Sequence, residues 1–197
     1  MSAAGRLHDH DGMYNRHPMY SRPHIDLAVP VGSTDHTIGP EHVPVTVVEY
    51  GDFECPNCKQ AAPAVKLLLQ RFSGRLRFVY RHFPLEELHP HALRAAEAAE
   101  CAGEQGQFWP MHDLLFANQD RLGGKHLRHY AEQLQLDLTR YDAQMRDGIY
   151  IQRIREHIES GRRSLLKSTP GFFVNGVIVD VSFGLEALVD AAAAALE

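Results

Sequence analysis

The sequence lacks any long apolar run. A membrane-spanning helix needs about 20 predominantly apolar residues, and a secretory signal needs an apolar stretch of roughly 7–15 residues. Neither pattern occurs in the chain, and even its Ala-rich end, residues 191–196, closely follows Glu186 and Asp190. We therefore expect no targeting segment, no membrane partner and a cytoplasmic location.

Cysteine is scarce, and positive charge is in the minority. The chain has three cysteines in 197 residues, and 20 Lys and Arg against 25 Asp and Glu, a formal net charge of −5. Such a surface does not attract nucleic acid as a whole, so no nucleic-acid partner is expected. Structural disulfides are rare in reducing compartments, where a close cysteine pair is more often catalytic or metal-binding.

Composition divides the chain into three stretches. Residues 1–24 are polar, His-rich and aperiodic, which predicts a flexible tail, and residues 25–42 are turn-rich, which predicts a linker. Residues 43–197 carry the periodic patterns of one globular domain. Within that domain the stretch at about 87–168 is helical throughout, with a helix whose first turn we expect at Pro90.

The patterns on either side of the helical stretch predict an α/β fold. Residues 45–50 form a β-branched run, residues 56–72 have helical spacing, and residues 76–83 read as a second strand. This order predicts a βαβ unit with parallel strands. Near the end, two short apolar runs flank Asn175-Gly176, a strong hairpin signal, and a last helix follows over 185–196.

The chemistry lies in Cys55-Pro56-Asn57-Cys58, between the first strand and its helix. A helix N-terminus stabilises an anion, so Cys55 should be the reactive thiolate. Cys58, one turn later, could close a disulfide and resolve a mixed disulfide. Glu49, at the end of the strand, could exchange a proton with Cys58. The open alternative is half of a zinc site, although the sequence has no second Cys-x-x-Cys pair.

From about His36 to the end, the sequence resembles the DsbA-like thioredoxin-fold oxidoreductases. It is most similar to the cytoplasmic branch, some members of which are fused to sodium/proton antiporters. The segments that carry the resemblance are Gly39-Pro40, residues 44–58, Arg81-His82-Phe83-Pro84-Leu85, His89-Pro90-His91-Ala92, Phe108-Trp109, Met111-His112 and residues 169–176.

The resemblance implies a thioredoxin fold with an inserted helical subdomain, and it implies roles for single residues. Cys55 would be the nucleophile, Cys58 the resolving thiol, Glu49 the buried acid and Pro170 a cis-proline. A peptide would lie along the Pro170 backbone, with Pro56, Asn57 and Thr169 as contacts. No metal and no cofactor beyond the Cys55–Cys58 disulfide is expected. The implied partners are protein or peptide thiols and disulfides, with thioredoxin- or glutathione-type molecules as candidate electron donors.

Three residues depart from the strongly oxidising members, which carry His beside the second cysteine. Asn57 is neutral at that position, and Asp52 and Glu54 place negative charge near Cys55, which should oppose the thiolate. These departures favour a less oxidising enzyme, with a reductase or isomerase potential. Two other classes stay open: a peptide-binding holdase with an incidental cysteine pair, and a glutathione-linked transferase of related fold. Cys101 is interpreted as a small buried hydrophobic residue.

Overall fold

The computed structural model describes residues 27–197, so the predicted tail over 1–24 lies outside the described residues. Five strands and seven helices follow one another in this part of the chain. They are β1 (His36–Ile38), β2 (Val45–Gly51), α1 (Pro56–Arg71), β3 (Leu76–His82), α2 (Ala92–Glu104), α3 (Phe108–Ala117), α4 (Gly124–Gln133), α5 (Leu138–Asp147), α6 (Ile151–Arg163), β4 (Gly171–Val174), β5 (Val177–Val179) and α7 (Glu186–Ala194). None of these helices is long and apolar enough to cross a membrane.

The strands form one mixed sheet in the order β1-β3-β2-β4-β5. Strands β2 and β3 are parallel, as the βαβ pattern predicts, and the other neighbouring pairs are antiparallel. Asn175 and Gly176 join β4 to β5, and both have a positive φ, 47° and 82°. Two positive φ values are what a type I′ hairpin turn requires. The predicted α/β thioredoxin fold with helices inserted between β3 and β4 is confirmed.

The central strand β2 is buried on both faces. Val45 and Val47 pack into the larger core cluster, which also contains buried residues of α1, α3 and α7. Val48 and Tyr50 point the other way, into a smaller cluster that includes Ile154 and Ile158 of α6. This explains why β2 reads as a nearly continuous apolar run rather than an alternating one.

The stretch predicted as a linker, 25–42, is not a free linker in the part that the structure describes. Residues 36–38 form β1, which pairs with the outer side of β3. Asp35, just before β1, receives a two-pronged hydrogen bond from Arg81 at 2.8 and 2.9 Å. A buried ion pair and a short strand therefore attach this segment to the domain. A strand of three residues is too short to show a pattern in the sequence, and the ion pair joins residues that are distant in sequence.

The first helix of the inserted block begins later than expected. Helix α2 starts at Ala92, and Pro90 lies in the turn before it. The backbone N–H of His91 donates to the Glu54 carboxylate at 2.6 Å, so a side chain from another segment satisfies a donor just before the helix. The prediction from Pro90 alone was therefore wrong by two residues, because the contact with Glu54 is distant in sequence and leaves no local signal.

Candidate active site

The dithiol lies at the carboxyl end of β2, where the chain turns into α1. Cys55 is the N-cap residue of α1 and Pro56 follows at its first position, a favourable place for proline. The backbone N–H of Cys55 donates to the Asp52 carbonyl at 3.1 Å, and that of Asp52 donates to Cys58 Sγ at 3.5 Å. Cys55 is 5% exposed and Cys58 is fully buried. Of the two residues, only Cys55 therefore keeps some exposed area toward a substrate.

The two thiols differ strongly in acidity. The pKa of Cys55 is lowered to about 5, first because the Cys58 thiol donates a hydrogen bond to its sulfur. Burial opposes this shift, while the Thr169 side chain and the backbone N–H groups of Asn57 and Cys58 favour it. Burial, the hydrogen bond to Cys55 and the negative charge of Glu49 raise the pKa of Cys58 well above its ordinary value. At neutral pH, Cys55 is thus a thiolate and Cys58 a thiol.

Glu49 lies inside the sheet behind the dithiol. It is 3% exposed and stands between Tyr80 of β3 and Phe172 of β4 in the strand register. Burial, followed by the negative charge of Cys55, raises the pKa of Glu49 to about 8. A carboxyl group with this pKa can both accept and release a proton near neutral pH.

Replacing Glu49 by glutamine is expected to change how stability depends on pH. An unfolded glutamate has a pKa of about 4.3, whereas the pKa of Glu49 in the fold is about 8. Between these values the folded protein binds the extra proton, so rising pH lowers the free energy of unfolding. Between pH 5 and pH 8.5, the free energy of unfolding of Glu49→Gln should rise by about 2–4 kcal/mol relative to that of the wild type. Urea unfolding at a series of pH values measures this gain, and a constant difference would contradict it.

Pro170 closes the other side of the site. The Thr169–Pro170 peptide bond is cis, and the Thr169 carbonyl oxygen lies 3.4 Å from Cys55 Sγ. An open groove of about 590 Å³ runs from here along α1 to the connection between β5 and α7. Asn57, Ser168, Thr169 and Pro170 are among its lining residues. The structure therefore places Thr169, Asn57 and Pro170 together beside the dithiol, and Pro56 is exposed at the same helix end.

The two acidic residues near Cys55 are each paired with a histidine, which sequence reasoning missed. Asp52 Oδ2 lies 2.7 Å from Nδ1 of His89, and Glu54 Oε1 lies 2.9 Å from Nδ1 of His91. Their expected opposition to the thiolate is outweighed, since the pKa of Cys55 is still lowered to about 5. The sequence His89-Pro90-His91 gave no signal for these contacts, because they depend on how the β3–α2 connection folds back.

A second contact that no sequence pattern indicated comes from the α3–α4 connection. The Gln119 side-chain amide donates to the carbonyl oxygens of Phe53 and Cys55 at 2.9 and 2.8 Å. These bonds hold the backbone of the dithiol turn from outside. Cys101, by contrast, is buried in α2 with its pKa raised to about 12, first by burial, consistent with the predicted hydrophobic role.

Among the described residues, one group could offer three metal ligands: His82, Glu100 and His157. Glu100 already accepts hydrogen bonds from His36 at 3.0 Å and His82 at 2.9 Å, and the Arg153 guanidinium lies 3.0 Å from its other oxygen. A guanidinium in contact with the carboxylate competes with a cation. We therefore interpret the group as a buried ion-pair network, and neither Cys55 nor Cys58 belongs to it.

A family model described as Thioredoxin matches residues 32–192, well over half of the chain. The chain belongs to the thioredoxin family. Among solved structures, it is similar to a thioredoxin-like oxidoreductase from Silicibacter pomeroyi, with a TM-score of 0.74, 25% identity, and 84% of this chain and 94% of that one covered. It also shares its fold with BdbD from Bacillus subtilis, with a TM-score of 0.72, 20% identity, and 81% and 91% covered. The DsbA-like resemblance is confirmed, and family membership supports thiol–disulfide oxidoreduction as the general class of function.

The curated relatives bear the name of a transporter. The chain is 52% identical over 165 residues to Na(+)/H(+) antiporter NhaA 1 of Salinispora arenicola, covering 83% of this chain and 25% of that protein. It is 40% identical over 159 residues to Na(+)/H(+) antiporter NhaA of Herminiimonas arsenicoxydans, covering 81% and 24%. The chain thus spans about a quarter of the length of these relatives, which agrees with the resemblance to redox domains fused to antiporters.

Proposed function

We propose that this protein exchanges disulfides with protein or peptide thiols through Cys55 and Cys58. The observation that carries the proposal is the split in acidity between the two sulfurs. The pKa of Cys55 is lowered to about 5, while that of the buried Cys58 is raised. A nucleophile that is ionised at neutral pH and a resolving thiol that stays protonated until needed are the two parts this reaction requires.

The exchange would run in two displacement steps. The Cys55 thiolate attacks one sulfur of a substrate disulfide, which forms a mixed disulfide and releases the first substrate thiolate. In the mixed disulfide Cys55 no longer carries the negative charge that helps to raise the pKa of Glu49, so ionised Glu49 can accept the proton of Cys58. Cys58 then attacks Cys55 Sγ, which releases the second substrate thiolate and leaves a Cys55–Cys58 disulfide. Two electrons pass from the dithiol to the substrate, whose thiolates take up protons from solvent. Every step is reversible, so the same residues can oxidise a substrate dithiol.

The groove beside Pro170 is suited to an extended peptide. It is open, about 590 Å³ in volume, and reaches from the backbone next to Cys55 Sγ to the β5–α7 connection. A peptide there could pair with backbone groups of the Thr169–Pro170 segment in the manner of an added strand. Phe183, on that connection, is 99% exposed and would offer an apolar contact to an unfolded chain.

The acidity of Cys55 favours an intermediate potential. Stabilising the thiolate stabilises the reduced form, so a lower pKa makes the disulfide a stronger oxidant. Two known proteins mark the range. In thioredoxin the reactive cysteine has a pKa of about 7 and the reduction potential is about −270 mV, whereas in DsbA the pKa is about 3.5 and the potential is about −120 mV. A pKa of about 5 for Cys55, which lies between these two values, supports a potential of about −200 mV. We propose this isomerase-like potential, with thioredoxin- or glutathione-type donors; a cytoplasmic location stays a prediction.

The test is the reduction of insulin by dithiothreitol, followed as turbidity, with equilibration in glutathione buffers to obtain the potential. We expect the wild-type protein to accelerate the reduction and to titrate as a two-electron couple. A protein that suppresses insulin aggregation without accelerating its reduction would be a holdase. A potential near about −120 mV would contradict the intermediate value.

A further inference from the structure

The carboxylate of Asp52 connects the turn that carries the dithiol to the segment after β3. Its side chain is fully buried and accepts three hydrogen bonds. They come from the backbone N–H of Glu54 at 2.7 Å, the backbone N–H of Leu85 at 2.8 Å and Nδ1 of His89 at 2.7 Å. Because the backbone of Asp52 also contacts both cysteines, the position of His89 is fixed relative to the reacting sulfurs.

His89 itself is held in place from both sides. Its backbone N–H donates to the Leu85 carbonyl at 2.9 Å, and its carbonyl accepts from the Ala92 N–H at 3.2 Å. The imidazole is 18% exposed, so it is partly shielded from water while a proton can still reach it. Partial burial disfavours the cation, but the hydrogen bond to Asp52 and the negative charges of Asp52, Cys55 and Glu54 raise the pKa of His89.

The two residues between the cysteines supply no positive charge to stabilise the Cys55 thiolate. Pro56 and Asn57, between the two cysteines, are uncharged. The other histidine of the segment, His91, is bonded to Glu54, and its side chain is 49% exposed. Solvent screens a charge at that position more strongly than one at His89.

We propose that His89, oriented by Asp52, is a positioning residue that stabilises the Cys55 thiolate and thereby sets the redox potential of the dithiol. Electrostatic coupling is reciprocal: a thiolate that favours the His89 cation is itself favoured by that cation to the same extent. A stabilised thiolate leaves more easily from a mixed disulfide and favours the reduced form of the couple. The consequence for the potential rests on the proposed function, whereas the effect on the acidity of Cys55 does not.

The direction of the pH dependence follows from the same contacts. Asp52 contacts the His89 imidazole, the negative charges of Cys55 and Glu54 act on it from the same turn, and its own segment contributes backbone groups. Above the pKa of His89 the imidazole is neutral, and the stabilisation of the thiolate is lost. The potential should therefore fall more steeply with pH in the wild-type protein than in a variant without this imidazole.

The test compares His89→Asn with His91→Asn. Asparagine keeps a donor near the position of Nδ1 but carries no charge, and both histidines contact a carboxylate through Nδ1. The rate of Cys55 alkylation by iodoacetamide against pH reports its pKa. We expect a rise of about 0.5–1 in His89→Asn and almost none in His91→Asn. In glutathione buffers, His89→Asn should shift the equilibrium about threefold to tenfold toward the disulfide, about 15–30 mV more reducing.

A second measurement keeps His89 unaltered, so the proposal can still be tested if His89→Asn fails to fold. The His89 imidazole, titrated by NMR, should show a higher pKa in the reduced protein than in Cys55→Ala, which lacks the thiolate. Equal His89 values in these two proteins, or equal Cys55 values in folded His89→Asn and His91→Asn, would overturn the proposal. An inactive wild type in the insulin assay would instead remove the proposed function, and the alkylation curves would still report on His89.

Discussion

Replacing Cys55 by serine is expected to leave insulin reduction at the uncatalysed rate, because the part of the rate that the protein catalyses should fall by about 10³-fold or more. The hydroxyl of serine is not ionised at neutral pH, whereas the pKa of Cys55 is about 5 and its sulfur is a thiolate. The partner Cys58 cannot take over, because it is fully buried and burial keeps its pKa raised. The initial rate of turbidity at a fixed dithiothreitol concentration measures the loss.

Two matched variants make this result specific. Cys101→Ala removes the third thiol, which is buried at 1% exposure outside the site, and should leave the rate unchanged. Cys58→Ser keeps the nucleophile but not the resolving thiol, and should accumulate a mixed disulfide visible by mass spectrometry. If Cys55→Ser retained full activity, the dithiol would not be the redox centre and the holdase alternative would gain. If Cys58→Ser turned over glutathione mixed disulfides without loss, the glutathione-linked alternative would gain.

Arg81→Met is expected to destabilise the fold by about 3–5 kcal/mol. The Arg81 guanidinium is almost fully buried and donates to both oxygens of Asp35, to the Tyr50 hydroxyl and to the carbonyls of Val29 and Pro30. Methionine fills similar volume but leaves the buried Asp35 carboxylate without its cation. Urea unfolding followed by circular dichroism measures the change, and a loss below about 1 kcal/mol would show that water reaches Asp35 in the folded state.

Two further variants separate the ion pair from the packing. The double variant Arg81→Met with Asp35→Leu removes both charges, so it should recover much of the lost stability. Arg128→Met removes a guanidinium that contacts Asp142 at 3.0 Å on the surface, where both side chains are about half exposed. Its unfolding midpoint should stay close to that of the wild type. A double variant as unstable as Arg81→Met would point to packing rather than to the unpaired charge.

The elements with strong local signals could be predicted from the sequence. Strand β2 is β-branched, the Asn175-Gly176 turn has only a few compatible conformations, and α1 has clear helical spacing. Strand β1 escaped prediction because three residues contain less than two periods of alternation. Its pairing is decided by the free edge of β3, which is a property of the assembled sheet.

The same distinction holds in the candidate site. Cys55 and Cys58 are three positions apart in sequence and share one helical turn, so spacing alone predicts their contact. The burial of Glu49 also follows from its place in an apolar strand. His89 and Gln119 lie 34 and 64 residues from Cys55, respectively, and contact the turn only because the β3–α2 and α3–α4 connections fold back over it. No local pattern records such a contact.

The strand order has a consequence for the edges of the sheet. Within residues 27–197, the sheet ends on both sides in strands of three residues, His36–Ile38 and Val177–Val179. Short edges offer few unpaired backbone groups, which is one way that β-proteins avoid sticking to other extended chains. Under the proposed function, an extended peptide would therefore bind weakly along the edges of the sheet, and it would bind instead in the groove beside Pro170, close to Cys55 Sγ.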